Sequence, residues 1–265
     1  MLDLQRNTEL GKQLKSRLKE QLVGSHISMT DSIVSEVMGS IGFDFIWIDS
    51  EHSENSYTSI RNHITAVNAG GTPAIVRVAR NDYNHMKRIL EMGPQGIVVP
   101  MVNTPEEAED AMRFCSYPPY GMRGFGPLRA VQYGLNDTDA YIADCEKVFS
   151  RFVQIETATA VKNLPQIVRN PHIDGYFFGP CDLSGSIGEL GKIYGEHTQQ
   201  YIRQAIAILR DAGKPIGVSL GTTDPEQIAF WRDLGINIIS TGTDYDYILR
   251  GAAQNLQNVR TRVFA

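Results

Sequence analysis

FDFIWIDS, residues 43–50, is a short apolar and aromatic run that ends in polar residues and is followed by Glu51 and His52. Its apolar residues are nearly continuous instead of alternating with polar ones, which is typical of a strand buried on both faces of a parallel sheet. Similar runs bounded by turn residues recur along the chain and predict eight strands. They are LVGSHIS (22–28), FDFIWIDS (43–50), TPAIVRVA (72–79), GIVVPMV (96–102), RFVQIE (151–156), GYFFGPCD (175–182), PIGVSLG (215–221) and NIISTGTD (237–244).

Helical patterns lie between these runs, and several of them begin with residues that cap a helix. Thr30-Asp31 precedes SIVSEVM, residues 104–107 (TPEE) precede AEDAM, and residues 224–226 (DPE) precede QIAFW. Since strands and helices alternate throughout the chain, the sequence predicts an α/β fold, a (β/α)8 TIM barrel, rather than an open sheet.

The same alternation predicts a single barrel domain over residues 1–265. A polar, helix-patterned segment precedes the first strand, and we expect an N-terminal helix at 4–21. A C-terminal helix is expected at about 244–262, where its apolar residues can pack on a neighbouring subunit.

The composition is that of a globular protein whose partner is a small molecule. Of 265 residues, 42% are hydrophobic and 21% are charged, and the net charge is −5. No run of lysine or arginine provides a footprint for nucleic acid or for an anionic membrane. The sequence has no long apolar span, no secretory signal and no CxxC spacing among Cys115, Cys145 and Cys181, so we expect a cytoplasmic protein with reduced thiols.

Polar residues that follow the predicted strands are the candidates for chemistry, because the active site of a TIM barrel lies at the carboxyl ends of its strands. Glu156 ends the fifth run and Asp182 ends the sixth. Neighbouring strands lie about 5 Å apart, so the two carboxylates can converge on one divalent ion such as Mg²⁺ or Mn²⁺ and leave positions open for a chelating substrate. The alternative is that each carboxylate caps the helix that follows it.

His52 is the candidate general base, since it lies at a strand end three residues after Asp49, whose carboxylate can orient an imidazole. His26, near the end of the first run, is its rival. The other histidines fall on predicted helices or loops and are interpreted as structural: His63, His85, His172 and His197.

Arg77, in the third run, points toward a place where a carboxylate or a developing enolate oxygen could lie. Its alternative partner is Asp49 or Glu51, in a salt bridge that is compatible with catalysis. None of the eight lysines follows a strand, which disfavours an aldolase that works through a Schiff base. GxGxxG, P-loop and HExxH motifs are absent as well.

Three further segments carry weaker signals. The Gly- and Pro-rich segment 116–139 exceeds what a barrel loop needs and is predicted to be an active-site loop, in which the turn at 123–126 can present amides to an anion. Gly-Thr-Thr at 221–223 and Thr-Gly-Thr at 241–243 can hold a phosphate, or are ordinary N-caps.

From about residue 20 to residue 250, the chain resembles the metal-dependent class II pyruvate aldolases. This is the family of 4-hydroxy-2-oxoheptanedioate aldolase and 2-dehydro-3-deoxyglucarate aldolase, to which macrophomate synthase is related. The resemblance rests on several blocks in order: FDFIWIDSEHS (43–53), VRVARND (76–82), GIVVPMVNTPEEAE (96–109), YPPYGMRGFG (117–126), VQIET (153–157) and FFGPCDLS (177–184). It implies a TIM barrel of the phosphoenolpyruvate/pyruvate-binding type that assembles as a homohexamer.

The resemblance also implies a role for each candidate residue. Glu156 and Asp182 would bind Mg²⁺, Mn²⁺ or Co²⁺, Arg77 would stabilise an enolate, and His52 would be the base. The family's partner for this histidine aligns with Glu91, so the partner is either Glu91 or Asp49. The residues implied to contact the substrate are Gln154, Gly179, Pro180, Cys181, Asp182 and Ser219.

Two of these positions depart from the family pattern, which has a small hydrophobic residue where this chain has Cys181 and an aliphatic one at Ser219. Both lie where the aldehyde half of a substrate would sit, so the resemblance does not specify the aldehyde. The implied activity is a carbon–carbon lyase that cleaves or forms 4-hydroxy-2-keto acids through a pyruvate enolate. The alternatives are a decarboxylating, oxaloacetate-dependent enzyme that forms carbon–carbon bonds, and a barrel that binds a keto acid without catalysis.

Overall fold

Eight parallel strands form a closed barrel in the computed structural model, which describes residues 6–264. Each strand pairs with the next along the chain, and the eighth closes on the first, so the predicted (β/α)8 barrel is confirmed. The strands are β1 (Leu22–Ile27), β2 (Phe45–Asp49), β3 (Ala74–Arg77), β4 (Gly96–Val99), β5 (Ser150–Ile155), β6 (Gly175–Phe178), β7 (Ile216–Leu220) and β8 (Ile238–Thr243). All eight predicted runs therefore contain a strand.

Helices cover the outside of the barrel. They are α1 (Arg6–Ser16), α2 (Ser32–Ser40), α3 (Tyr57–Ala69), α4 (Tyr83–Glu91), α5 (Pro105–Cys115), α6 (Thr138–Val148), α7 (Ala158–Ile167), α8 (Pro180–Ser186), α9 (Glu196–Asp211), α10 (Pro225–Asp233) and α11 (Asp244–Arg262), with a 3-10 helix at Arg129–Gly134. The predicted caps act as expected: Asp31 and Asp224 accept from the first turns of α2 and α10, and Thr104 forms a capping box with Glu107. Within residues 6–264, no helix is long and apolar enough to cross a membrane.

Alternation along the strands divides the inside of the barrel into an apolar lower part and a polar mouth. The lower part is a buried cluster composed of Leu14, Leu18, Leu22, Phe45, Trp47, Ile75, Val98, Phe152, Phe177 and Ile238. Successive inward positions lie two residues apart, so Asp49 follows Trp47 and Arg77 follows Ile75 at the carboxyl ends of their strands. The polar side chains at the mouth thus rest on an apolar floor.

Helix α1 is shorter than the helix predicted at 4–21. It ends at Ser16, and residues 4 and 5 lie outside the described part of the chain. The chain turns at residues 17–20, where the side-chain amide of Asn237 donates to the carbonyls of Leu18 and Glu20. The turn leaves Leu18 in the buried cluster inside the barrel, just before β1 begins.

Segment 116–139, predicted to be an active-site loop, packs along the outside of the barrel. Near its start, the amide of Gly124 donates to the Tyr83 hydroxyl in the first turn of α4. Farther on, Arg129 donates to the carbonyls of Met92 and Gly93 at the opposite end of that helix. Within one chain, therefore, these contacts direct the segment down α4 and not across the barrel mouth.

Candidate active site

Arg77 is the centre of a buried ionic cluster at the carboxyl ends of β2 and β3. The strand register places it beside Asp49. Its Nε lies 2.9 Å from Asp49 Oδ1 and its Nη2 lies 2.7 Å from Asp49 Oδ2, while its Nη1 lies 3.0 Å from Glu51 Oε2. Such a bidentate pair fixes the plane of the guanidinium group, so the salt bridge considered as an alternative role is present.

Both members of the Arg77–Asp49 pair remain charged. Burial by itself would raise the pKa of Asp49, but the hydrogen bonds and positive charge of Arg77 outweigh it and lower that pKa. Burial likewise opposes the charge on Arg77, yet Asp49 and the carboxylates of Glu51 and Glu156 raise the pKa of the guanidinium. A fixed cation therefore lies at the mouth of the barrel.

Glu156 lies at the end of β5 and is only 2% exposed. Its Oε1 accepts from the amide of Met101 at 2.6 Å, and its Oε2 accepts from Gln154 Nε2 at 2.9 Å. Burial raises the pKa of Glu156 to about 7, against the lowering effect of the Met101 amide, and the negative charge of Glu51 adds to the rise. The group is therefore costly to charge unless a cation is near.

Met101 is a contributor that the sequence did not reveal. It follows β4, and its φ of 53° lies in the left-handed region that a residue other than glycine rarely adopts. Such backbone costs of the order of 1–3 kcal/mol and is usually retained where function requires it. Here it directs the Met101 amide at Glu156, and no local sequence signal at the Pro100-Met101-Val102 segment marks that geometry.

A fourth carboxylate, that of Asp182, reaches this region from α8. Asp182 is exposed in the first turn of that helix, and its negative charge raises the pKa of both Glu51 and Glu156, after burial as the larger cause. Position 179, between β6 and α8, requires glycine, because a Cβ there would lie 2.4 Å from Glu156 Oε2. The pair predicted as metal ligands, Glu156 and Asp182, is thus placed within mutual electrostatic range.

These residues fit a hard divalent cation. The donors are carboxylate oxygens in a region of excess negative charge, and Mg²⁺ is commonly held by one or two carboxylates with water completing its coordination. Gln154 Oε1 is buried with no hydrogen-bond partner and adds an oxygen donor at the same place. Among residues 6–264, no group of three or more His, Cys, Asp or Glu side chains is arranged to hold a metal.

His52 lies at the rim, and its side chain is 62% exposed. Its Nε2 is 3.7 Å from Glu51 Oε2. Neither partner considered from the sequence contacts it: Asp49 binds Arg77, and Glu91 lies at the far end of α4, with Oε1 3.5 Å from Arg123 Nη2. Within the described chain the carboxylate near His52 is that of Glu51, which lies beyond the end of β2.

The other residues implied to contact the substrate lie at the end of β6 and late in β7. Gly179 and Pro180 join β6 to α8, and Cys181 is exposed beside Asp182. Partial desolvation of its sulfur, followed by the charge of Asp182, raises the pKa of Cys181. Across the mouth, Ser219 is half-buried late in β7, where its Oγ lies 3.0 Å from His26 Nε2.

The weaker candidates are placed elsewhere or already bonded. Arg123 is buried and faces Glu91, so the 123–126 turn presents its arginine to the protein. The Thr241 hydroxyl donates to the carbonyl of Thr222, which joins the two threonine-containing loops to each other. Both observations favour structural roles for these segments.

The fold and this cluster define a class: a TIM barrel with carboxylates, a buried arginine and a rim histidine at the carboxyl ends of its strands. Residues 23–250 match the HpcH/HpaI aldolase/citrate lyase family, and the chain belongs to that family. The aldolase class and the family expected from the sequence are thereby confirmed.

Named relatives agree with this assignment. The chain is 35% identical over 230 residues to the hydroxypyruvate/pyruvate aldolase of Roseobacter denitrificans, covering 87% of this chain and 89% of that one. It is 34% identical over 231 residues to the 4-hydroxy-2-oxo-heptane-1,7-dioate aldolase of Shigella sonnei, covering 87% of each. The crystal structure of a HpcH/HpaI aldolase/citrate lyase family protein from Burkholderia cenocepacia superposes with a TM-score of 0.88 at 29% identity, covering 94% of this chain and 99% of that one.

Proposed function

We propose that this protein is a divalent-metal-dependent pyruvate aldolase, which forms or cleaves 4-hydroxy-2-keto acids through the enolate of pyruvate. The observation that carries the proposal is the buried Arg77, which Asp49 holds within electrostatic range of Glu156, one of the two proposed metal ligands. A fixed cation next to a cation-binding pair suits a substrate that is itself an anion and that develops further negative charge. The names of the relatives support the same reaction class.

Glu156 and Asp182 would hold Mg²⁺, Mn²⁺ or Co²⁺, with the carboxylate and ketone oxygens of the keto acid nearby. When bound, the metal supplies Lewis acidity that makes the methyl protons of pyruvate more acidic. Gln154 keeps the Glu156 carboxylate oriented by donating to its Oε2, and the amide of Met101 holds its Oε1. The chain thus fixes one ligand from two sides before substrate arrives.

Arg77 would stabilise the enolate oxygen. Asp49 occupies Nε and one edge of Nη2, and Glu51 lies beside Nη1, which leaves N–H groups on both terminal nitrogens able to donate to a substrate oxygen. Because the two carboxylates fix the guanidinium in advance, little reorganisation is needed as charge develops on the oxygen. The structural and catalytic roles of Arg77 therefore support each other.

His52 would move the proton at the substrate's reacting carbon. Its exposed position at the rim gives its ring nitrogens access to a molecule in the mouth, and Glu51 is the carboxylate able to orient it. In the synthetic direction the enolate carbon then adds to the carbonyl of an aldehyde, whose oxygen takes up a proton. Cleavage of the 4-hydroxy-2-keto acid is the reverse.

The proposal extends to assembly and location. We propose a homohexamer, supported by the exposed apolar face of α11 described below, and a cytoplasmic location. The described cysteines, Cys115, Cys145 and Cys181, are all free thiols, which suits a reducing compartment. The aldehyde partner is not specified by the family assignment.

Exchange of the methyl protons of pyruvate in D₂O, followed by NMR, tests the proposal directly. The wild-type protein should catalyse exchange with Mg²⁺, Mn²⁺ or Co²⁺ and lose it after chelation. Glu156→Gln and Asp182→Asn should abolish exchange, because each removes an anionic ligand without changing the shape of the side chain. Glu226→Gln, which removes one negative charge from exposed α10, is the matched control and should exchange normally. Full exchange by metal-free protein would contradict the proposal.

A further inference from the structure

A histidine–serine pair lies on the wall of the barrel mouth formed by β1, β8 and β7. His26 occupies an inward position of β1, two residues beyond Gly24, and Ser219 occupies an inward position of β7, two residues beyond Gly217. The His26 ring packs on Trp47 with their centroids 5.3 Å apart, and the Arg77 guanidinium carbon lies 5.5 Å from the centroid of the same Trp47 ring. His26 and Arg77 therefore both contact the Trp47 ring at the base of the mouth.

The hydrogen bonds of this pair determine which atoms donate. His26 Nδ1 is 2.9 Å from the carbonyl oxygen of Gly242, which can only accept, so the ring proton lies on Nδ1. Nε2 is then an acceptor, and the Ser219 hydroxyl donates to it across 3.0 Å. Burial lowers the pKa of His26 to about 4, which keeps the ring neutral and this direction of donation unchanged.

Ser219 consequently faces the mouth as an acceptor. Its single proton is engaged by His26, while its lone pairs remain available, and its side chain is only half-buried. Gly221 lies just after β7, two residues beyond Ser219, and a Cβ added there would meet nothing within 4 Å. A Cβ added at Gly217, two residues before Ser219, would collide with Phe177 at 2.5 Å. Open space therefore lies above Ser219 and packed core lies below it.

If the His26–Ser219 pair were purely structural, its serine hydroxyl would be expected to be fully buried. The chain contains such a pair in Ser35 and His63, where Ser35 Oγ lies 2.7 Å from His63 Nδ1 between α2 and α3. Both of those side chains are fully buried, so the Ser35 hydroxyl can reach no ligand. Ser219 differs because it borders open space at the site.

We infer that Ser219, positioned by His26, accepts a hydrogen bond from a hydroxyl group on the aldehyde half of the substrate, so that the protein favours 2-hydroxyaldehydes over apolar aldehydes. The inference rests on the proposed function. Pyruvate carries only acceptor oxygens, which a serine held as an acceptor does not attract, and these oxygens are expected at Arg77 and at the metal that Glu156 and Asp182 would hold. The aldehyde half is the part of the substrate that can bring an O–H group to the opposite wall.

The test compares glycolaldehyde with propanal, which replaces the hydroxyl by a methyl group, in aldol addition with pyruvate and Mn²⁺. Wild type should show a higher kcat/KM for glycolaldehyde, and Ser219→Ala should reduce the ratio of the two kcat/KM values roughly tenfold, the scale of one hydrogen bond. Ser219→Thr retains the hydroxyl and should largely preserve the ratio. His26→Gln keeps an acceptor for Ser219 and should preserve it as well, whereas His26→Phe should reduce it. Ser35→Ala is the matched control and should leave the ratio at the wild-type value.

Pyruvate methyl exchange by the wild-type protein separates the two levels of the argument. If exchange is present and Ser219→Ala leaves the aldehyde ratio unchanged, the inference is overturned and the proposed function stands. If exchange and addition are both absent in the wild-type protein with metal, the proposed function fails and the inference falls with it. A ratio that drops in Ser219→Ala and is restored in Ser219→Thr supports the inference.

Discussion

At the scale of single residues, the site depends on how Arg77 is held. Asp49 and Glu51 both contact its guanidinium, and the pKa directions show that the charge of the Arg77–Asp49 pair survives burial. A buried ion pair of this kind adds little net stability, since desolvation offsets much of the attraction. The ion pair instead holds the guanidinium in a fixed orientation, which is what stabilisation of an enolate oxygen requires.

The assignment of His52 as the base can be tested by a contrast between reactions. His52→Ala should lose pyruvate methyl exchange and aldol cleavage together, by roughly two orders of magnitude or more, the scale of one general base. Decarboxylation of oxaloacetate should suffer less, because loss of CO₂ generates the enolate without removal of a C–H proton. All three rates are measured on the same metal-loaded protein.

Arg77→Lys provides the comparison for this contrast. It keeps a positive charge but loses the planar fork, so it should depress all three reactions. If His52→Ala also lowers all three equally while metal binding is intact, His52 is not the specific base.

His26 predicts a pH dependence of stability. Burial lowers its pKa to about 4; the carbonyl of Gly242 and the charge of Asp49 oppose this, and the charge of Arg77 adds to it. Between pH 6.5 and 4 the unfolded chain therefore binds a proton that the folded chain does not, so stability is lost as pH falls through this window. From pH 7 to pH 5 the contribution is about 2 kcal/mol. Urea denaturation should show His26→Gln losing less stability than wild type over that interval, and equal losses would contradict the prediction.

At the scale of secondary-structure elements, α1 is attached to the amino end of the barrel by Lys15. The Lys15 ammonium lies 2.5 Å from the carbonyl oxygen of Glu146, 2.8 Å from that of Phe149 and 3.0 Å from Asp174 Oδ2. Burial lowers the pKa of Lys15, and the charge of Asp174 opposes that effect. One ammonium thus joins α1 to the segments that lead into β5 and β6.

Lys15→Met should destabilise the protein by roughly 2 kcal/mol, because it removes the ammonium that donates to two carbonyls and leaves Asp174 with Arg151 as its remaining partner. Lys12→Met on the same helix is the control, since Lys12 is exposed and its ammonium pairs with exposed Glu9 at 3.5 Å. The control should change stability by less than about 0.5 kcal/mol. Denaturant titration measures both, and equal effects would show that Lys15 is not the attachment.

At the scale of the whole molecule, α11 has most of its surface exposed in a single chain. It spans 19 residues, yet Asp244 in its first turn is its only buried residue in the described chain. Of the apolar residues expected to face a neighbouring barrel, Tyr247 and Val259 are partly covered, while Ile248, Leu249 and Leu256 are exposed. A long exposed apolar surface of this kind usually marks an interface.

We therefore expect a homo-oligomer, proposed above as a hexamer, and expect Leu249→Asp with Leu256→Asp to reduce its mass. Light scattering coupled to size exclusion at micromolar concentration measures this. Gln257→Asp, also exposed on α11, introduces the same type of charge at a polar position and should leave the mass unchanged. A wild-type monomer would contradict the expectation.

Local sequence pattern was sufficient for most of the fold. Continuous apolar runs such as FDFIWIDS predicted all eight strands, and the caps at Asp31, Thr104 and Asp224 marked where helices begin. The prediction was least accurate where a boundary depends on distant residues, as in the turn after Ser16, which Asn237 fixes from the other end of the chain. Strand ends and caps are properties of neighbouring residues, and so they can be recognised in the sequence.

The sequence by itself determined the barrel and the types of residue at its mouth, because both follow from short-range periodicity and from the polar residues at each strand end. Only the tertiary structure decided which of those residues meet. It placed Glu51 beside His52 and Arg77, moved Glu91 away to Arg123, and joined His26 to Ser219. These contacts depend on closure of the barrel, which brings the first strand against the eighth and sets the inward side chains of distant strands face to face.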